Sequence, residues 1–276
     1  MAKQGGGSWL LRLDDLDSRR QQPGMADDIM RTLESFGLLW DGAVARQSQH
    51  LEEYEAAFAA LQRGGVVYPC SCSRREIAGS ASAPHPGDDG PPYAGSCREG
   101  MKAPSPVRSW RVRVPEGEIC FIDRRRGEYC QLLPTVCGDF VLKRGDGEFA
   151  YQLAVVVDDV LAGVNQVVRG DDLLASTPRQ IYLQRLLGFP QPEYCHLPLV
   201  TGEAGVKLSK RDNLISQQLG SVAGREGELL VAALRFLGQN PPPELAGEPC
   251  SHILRWGTDH FQSDSFFASA SGKLGV

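Results

Sequence analysis

The run Val168-Arg169-Gly170-Asp171-Asp172-Leu173-Leu174-Ala175-Ser176-Thr177-Pro178-Arg179-Gln180 decides the fold class, because it joins a strand end to a helix start. Residues 164–168 are short and apolar, as a buried strand is, and Arg169 closes them. Thr177-Pro178 supplies an N-cap hydroxyl and a proline for the first helical turn. Ile181, Tyr182, Leu186 and Leu187 then provide a buried side, and Gly188 a stop. A strand feeding a helix in this way belongs to an α/β fold. In open α/β sheets ligands bind beyond the carboxyl ends of strands, which is where Arg169 stands. Its guanidinium suits the carboxylate of a substrate, with internal pairing to Asp171 or Asp172 as the alternative.

Upstream, Tyr151-Gln152-Leu153-Ala154-Val155-Val156-Val157 is nearly continuous in apolar residues and predicts a central strand covered on both faces. Downstream, Leu197-Pro198-Leu199-Val200 leads to Lys207-Leu208-Ser209-Lys210-Arg211. Two lysines flanking a serine on a loop can close on the phosphates of ATP and stabilise the charge that builds as an α-phosphate is attacked. Alone, so short a motif also reads as a solvated basic turn.

Towards the N-terminus, Trp9-Leu10-Leu11-Arg12-Leu13 predicts a buried strand, with Asp14-Asp15-Leu16-Asp17 crowding carboxylates at its end. A helix from Pro23 follows, with Ile29, Met30, Leu33 and Phe36 at helical spacing and Gly37 as stop. A second helix, over 48–63, puts Leu51, Tyr54, Phe58 and Leu61 on one face. Val66-Val67-Tyr68 is a short strand, and 78–92 is a loop rich in Ser, Ala, Pro, Gly and Asp. Strands are predicted at 110–114, 120–122 and 140–142, with a hairpin turn at Gly145-Asp146-Gly147. The last clear helix carries Leu229, Leu230, Ala233, Leu234 and Leu237. Beyond Phe261 a weakly ordered tail is expected.

The chain has 276 residues, 42% hydrophobic and 23% charged, which describes an ordinary globular protein. Its net charge of -5 argues against non-specific coating of nucleic acid, although Arg108, Arg111, Arg113 and Arg124-Arg125-Arg126 can form a local basic face. No stretch approaches the roughly 20 apolar residues of a membrane span. Residues 1–7 have no apolar core, so the eight cysteines point to a reducing cytoplasm.

Arg12-Leu13-Asp14-Asp15-Leu16-Asp17, Tyr151-Gln152-Leu153-Ala154, the Val168 to Gln180 run and Lys207-Leu208-Ser209-Lys210-Arg211 occur in this order. With them the chain resembles class I glutamyl-tRNA synthetases over about residues 2–238, and most of all their short glutamyl-Q tRNA(Asp) synthetase branch. That resemblance implies a Rossmann-like catalytic domain at 1–190 with a zinc-binding insertion at 69–105. A helical region at 191–260 carries the lysine loop, and 261–276 is the tail. It implies activation of L-glutamate by ATP with Mg2+, then transfer to the queuosine base of tRNA(Asp), by a cytoplasmic monomer. Asp14, Tyr151 and Arg169 would line the glutamate pocket, and Lys210, with Lys207, would meet ATP. The family often has glutamate where Asp14 stands, so a contact there is expected to be longer or water-bridged.

Cys70, Cys72 and Cys97 are three thiol ligands for a metal that takes four. The resemblance assigns the fourth place to Tyr93; His85 in the intervening loop is the chemical rival, and free thiols are the alternative. Cys120, Cys130, Cys137, Cys195 and Cys250 show no ligand spacing and are expected to be buried or idle.

The H-x-G-H signature of class I synthetases does not occur, and Ala103-Pro104-Ser105-Pro106 only imitates what precedes it. The expectation is therefore of a Rossmann-like domain incomplete at its N-terminus, with little adenylate formation if the chain truly begins at Met1. A catalytically impaired tRNA- or protein-binding module, or a fragment of a longer glutamyl-tRNA synthetase, are the competing readings. The 65 residues after Arg211 are too few for an anticodon-binding domain.

Overall fold

Residues 151–157, expected as a strand, form a helix. In the computed structural model, which describes residues 2–17, 22–80, 91–101, 105–200, 223–263 and 266, this segment is α5 (Tyr151–Leu161). Every side chain from Gln152 to Asp158 is buried. A helix covered on all sides loses the polar stripe that gives it a 3.6-residue period, so its sequence looks like that of a central strand. Each buried valine or leucine contributes about 1.5–3 kcal/mol, more than the few tenths that valine costs in a helix.

Nine short strands are arranged in three sheets among the described residues. β1 (Arg12–Leu13) and β2 (Ala45–Arg46) form a parallel pair, Arg12 opposite Ala45. β3 (Val67–Cys70), β4 (Ser109–Val112) and β7 (Val141–Arg144) form an antiparallel sheet with β4 in the middle. β5 (Ile119–Asp123), β6 (Gly127–Gln131), β8 (Gln166–Gly170) and β9 (Glu193–Leu197) form a mixed sheet in the order β6-β5-β9-β8. There β9 runs parallel to both β5 and β8, while β5 and β6 are an antiparallel hairpin. The carboxyl-end residues of β1 and β8 thus belong to different sheets, not to one parallel sheet.

The helices fill the space between. α1 (Met25–Ser35) has no buried residue, whereas α2 (Leu51–Arg63) buries Tyr54, Ala57, Phe58 and Leu61. These pack with Leu153, Val156 and Val157 of α5, Ile181 and Leu183 of α6 (Thr177–Leu187), and Phe121 and Tyr194 of the mixed sheet. Pro178 sits in the first turn of α6, and Gly188 (φ 68°) ends it in the left-handed conformation that glycine adopts at least cost. Of two short helices, α3 (Arg74–Ser80) follows β3 and α4 (Leu133–Val136) precedes β7 in sequence. The hairpin turn at 145–147 is present, with Lys143 bridged to Phe149.

α7 (Glu226–Phe236) is the expected last helix, but another follows, α8 (Cys250–His260). Together they bury Val231, Leu245 and Ile253 in a small separate core. Packing continues past 261, since Phe266 is buried against Phe261. No helix among the described residues is long and apolar enough to cross a membrane.

Two cysteine expectations change. Cys120 and Cys130 are register partners in the β5–β6 hairpin and are joined as a disulfide, and Cys130 is exposed. Direct opposition across two antiparallel strands brings the β-carbons close enough to bridge. Cys195, by contrast, is fully buried and unpaired, and burial pushes its thiol up to about 11.

Candidate functional site

β1, α5 and β8 bring a set of charged and phenolic groups near one another. Tyr151 opens α5 and is 38% exposed. Arg169 stands one residue from the end of β8 and reaches the Tyr151 hydroxyl. Arg12 of β1 donates from Nε to Asp14 Oδ1 at 2.8 Å and from Nη1 to Asp159 Oδ1 at 2.8 Å. The charges of Arg12, Asp14, Asp159 and Arg169 all act on the Tyr151 phenol. Asp14, Tyr151 and Arg169 are therefore brought together; Lys207 and Lys210 lie outside the described residues.

Burial dominates the electrostatics of this cluster. It pushes the Tyr151 phenol upward, and it pushes Asp159 above the usual carboxylate range against the opposing pull of Arg12. Burial also works against the charge on Arg169, which remains a cation because a guanidinium holds its proton so strongly. Asp14 is exposed.

Several neighbouring residues have roles that the sequence reading did not assign. Asp158, 2% exposed, accepts from Gln47 Nε2 (2.8 Å) and Tyr54 Oη (2.7 Å), and its Oδ1 lies 2.8 Å from His50 Nδ1. It fastens the start of α2 to α5. Arg169 is held from behind: Nε donates to His196 Nε2 at 3.1 Å, and Nη2 to Thr177 Oγ1 at 2.6 Å. Asp171 does not pair with Arg169; it pairs with Arg126 from the β5–β6 turn. Arg124 likewise meets Glu193.

A second cluster lies where β3 ends. Cys70, Cys72 and Cys97 bring their sulfurs within 4.8 Å of one another. The Cys72 and Cys97 sulfurs are 3.6 Å apart, and the Tyr93 hydroxyl is 3.4 Å from Cys70 Sγ and 3.7 Å from Cys72 Sγ. A tetrahedral zinc with Zn–S of about 2.3 Å sets its sulfurs about 3.8 Å apart, and a zinc-bound oxygen about 3.5 Å from each sulfur. The Cys72–Cys97, Cys70–Tyr93 and Cys72–Tyr93 distances are close to those values. His85 lies outside the described residues. Burial raises the Tyr93 phenol, and raises the Cys72 thiol to about 11. At Cys97 burial is outweighed by hydrogen bonds, first from Tyr93 and then from the Ser71 backbone, and the thiol falls to about 7.

Backbone and charge fix this cluster to the body. Tyr93 N donates to Cys137 O at 3.0 Å, and Tyr93 bridges Gly138, where a β-carbon would come within 2.1 Å of Tyr93 O. Arg111 places its guanidinium 4.1 Å from the Tyr93 ring centroid. Arg98, next to Cys97, forks the fully buried Asp139 through Nε (2.6 Å) and Nη2 (2.5 Å). Tyr68 Oη and the Val114 N–H donate to the same carboxylate. Burial would raise Asp139; these donors outweigh it and hold the carboxyl below its usual range.

The family model for tRNA synthetases class I (E and Q), catalytic domain, matches residues 1–246. A glutamyl-Q tRNA(Asp) synthetase of Geobacter sulfurreducens is 56% identical over 272 residues, 98% of this chain and 87% of the relative. One of Dechloromonas aromatica is 49% identical over 265 residues, covering 96% of this chain and 86% of the relative. Among solved structures, a glutamate tRNA ligase from Elizabethkingia meningosepticum superposes with a TM-score of 0.76 at 22% identity. The likeness covers 99% of this chain and 62% of the ligase, and it shows the shared fold. With these matches the chain belongs to the class I tRNA synthetases (E and Q), in the family of the glutamyl-Q tRNA(Asp) synthetases.

Proposed function

We propose that this protein activates L-glutamate with ATP and Mg2+ to glutamyl-adenylate and passes the glutamyl group to the queuosine base of tRNA(Asp). What supports the reading is a cluster of two guanidinium groups, one phenol and two carboxylates linked by hydrogen bonds and by their charges. An amino acid with an acidic side chain asks for that mixture. Arg169 receives a carboxylate, Tyr151 lends a hydroxyl, and Asp14, open to solvent, takes the ammonium.

In the first step a carboxylate oxygen of glutamate attacks the α-phosphorus of ATP, and pyrophosphate leaves. In the second a hydroxyl of the modified base attacks the acyl carbon, and AMP leaves. Lys207 and Lys210 take the phosphate charge in this reading. The Cys70, Cys72, Cys97 and Tyr93 donor set suits zinc, because thiolates favour a soft, tetrahedral ion. Its contribution would be structural, cross-linking the 69–105 insertion.

The test is ATP–pyrophosphate exchange with glutamate, followed by transfer to tRNA(Asp) with and without queuosine. Glutamate-dependent exchange and labelling of only the queuosine-containing tRNA are expected. No exchange with glutamate overturns the reading, and equal charging of unmodified tRNA moves it to a general glutamyl-tRNA synthetase.

A further inference from the structure

We infer that His196, fixed by the Asp123 carboxylate, is the positioning residue that sets Arg169 for the carboxylate of glutamate; this rests on the function proposed above. Arg169 and His196 are register partners on β8 and β9, so their side chains lie side by side on one face of the sheet. His196 is fully buried and Asp123 is 1% exposed. His196 Nδ1 lies 2.7 Å from Asp123 Oδ2, and the His196 backbone N–H reaches the same oxygen at 3.1 Å. Asp123 Oδ1 accepts the N–H groups of Arg125 (3.0 Å) and Arg126 (2.8 Å) in the β5–β6 turn. Burial opposes the Asp123 charge, but the donation from His196 and from these amides prevails, and its carboxyl is held below the usual range.

An ionised carboxylate only accepts, so the imidazole proton sits on Nδ1 and Nε2 keeps its lone pair. A guanidinium only donates, and that lone pair is what Arg169 Nε meets at 3.1 Å. The other tautomer would set N–H against N–H. Thr177 Oγ1, 3.1 Å from His196 Nε2, takes the Nη2 amino group. These contacts use Nε and Nη2, and none of them uses Nη1. The relay from Asp123 through His196 thus decides which edge of the guanidinium faces the cluster around Tyr151. Asp123 and His196 are 73 residues apart in sequence.

The experiment measures the KM for glutamate and for ATP separately by pyrophosphate exchange, in the wild type and in Arg169→Leu, His196→Leu, His196→Gln and Asp123→Asn. His196→Leu is expected to raise the glutamate KM about 10- to 100-fold, the span of one charge-assisted hydrogen bond, with the ATP KM unchanged. His196→Gln, which keeps an acceptor towards Arg169, restores most of the loss. Asp123→Asn, which frees the wrong tautomer, raises the glutamate KM in the same direction and is informative even if His196→Leu does not fold. An active wild type in which Arg169→Leu loses glutamate, but His196→Leu or Asp123→Asn shifts both KM values equally or neither, overturns this inference alone. A wild type with no glutamate-dependent exchange removes the parent reading instead.

Discussion

Asp139→Asn should unfasten the cysteine cluster from the body of the protein. The carboxylate is fully buried and accepts from Arg98 twice, from Tyr68 and from the Val114 amide. An asparagine keeps one oxygen and turns an amino group towards at least one of those donors. Removing one partner of a buried ion pair costs about 3–5 kcal/mol. The Arg98 side chain is 37% exposed, and water can take over part of its charge, which argues for the lower end, about 3 kcal/mol. For chains of this size that is a fall in Tm of about 6–12 °C. Circular dichroism melts of wild type, Asp139→Asn, Arg98→Met and the double variant measure it. The double variant should lose less than the sum of the single losses, because no charge is left stranded. A fall below about 2 °C in Asp139→Asn, or strict additivity in the cycle, refutes the reasoning.

Chelator competition followed by elemental analysis should rank zinc retention as wild type, then Tyr93→Phe, then Cys97→Ser; retention in Tyr93→Phe equal to wild type would remove the phenol from the ligand set. Gly138→Ala should cost more than about 1 kcal/mol in a urea titration, because the residue has φ 63° and its new β-carbon would sit 2.1 Å from Tyr93 O. Asp123 and Asp139 both have carboxyls held below the ordinary range, so the folded state binds fewer protons than the unfolded one. Their stabilisation is present above about pH 4 and is lost as pH falls through the lower folded values. Urea midpoints between pH 5 and pH 2.5 should show this decline, and Asp139→Asn should flatten it.

Much of this architecture can be read from residues alone, where a periodic face or a punctuating residue exists. Tyr54, Phe58 and Leu61 recur at helical spacing, and Pro178 and Gly188 bound α6, although the N-cap is Ser176 and the Thr177 hydroxyl turns to Arg169. The valines of α5 misled because burial on every side removes the period that separates a helix from a strand. α8 escaped because it follows a proline-rich stretch and buries only Ile253 completely. The motifs single out Arg169, Tyr151 and Asp14, which the fold brings near one another; the groups packed behind them carry no such motif. Asp123 and His196 are lone polar residues in different segments, and only the parallel pairing of β5 with β9 makes them neighbours. The same holds for Cys120 and Cys130, whose bond depends on hairpin register and not on any spacing typical of ligands.

The consecutive carboxylates at the end of α5 share Arg12 of β1, Asp159 at 2.8 Å and Asp158 at 3.6 Å, and Asp158 also grips the entry to α2 through Gln47, His50 and Tyr54. A single codon inserted between Tyr151 and Asp158 would turn both acids by about 100° around the axis and shift them about 1.5 Å along it. Both grips would then open in one event. The helix therefore acts as a ruler whose length tolerates substitution but neither addition nor deletion, even in stretches that never approach a ligand.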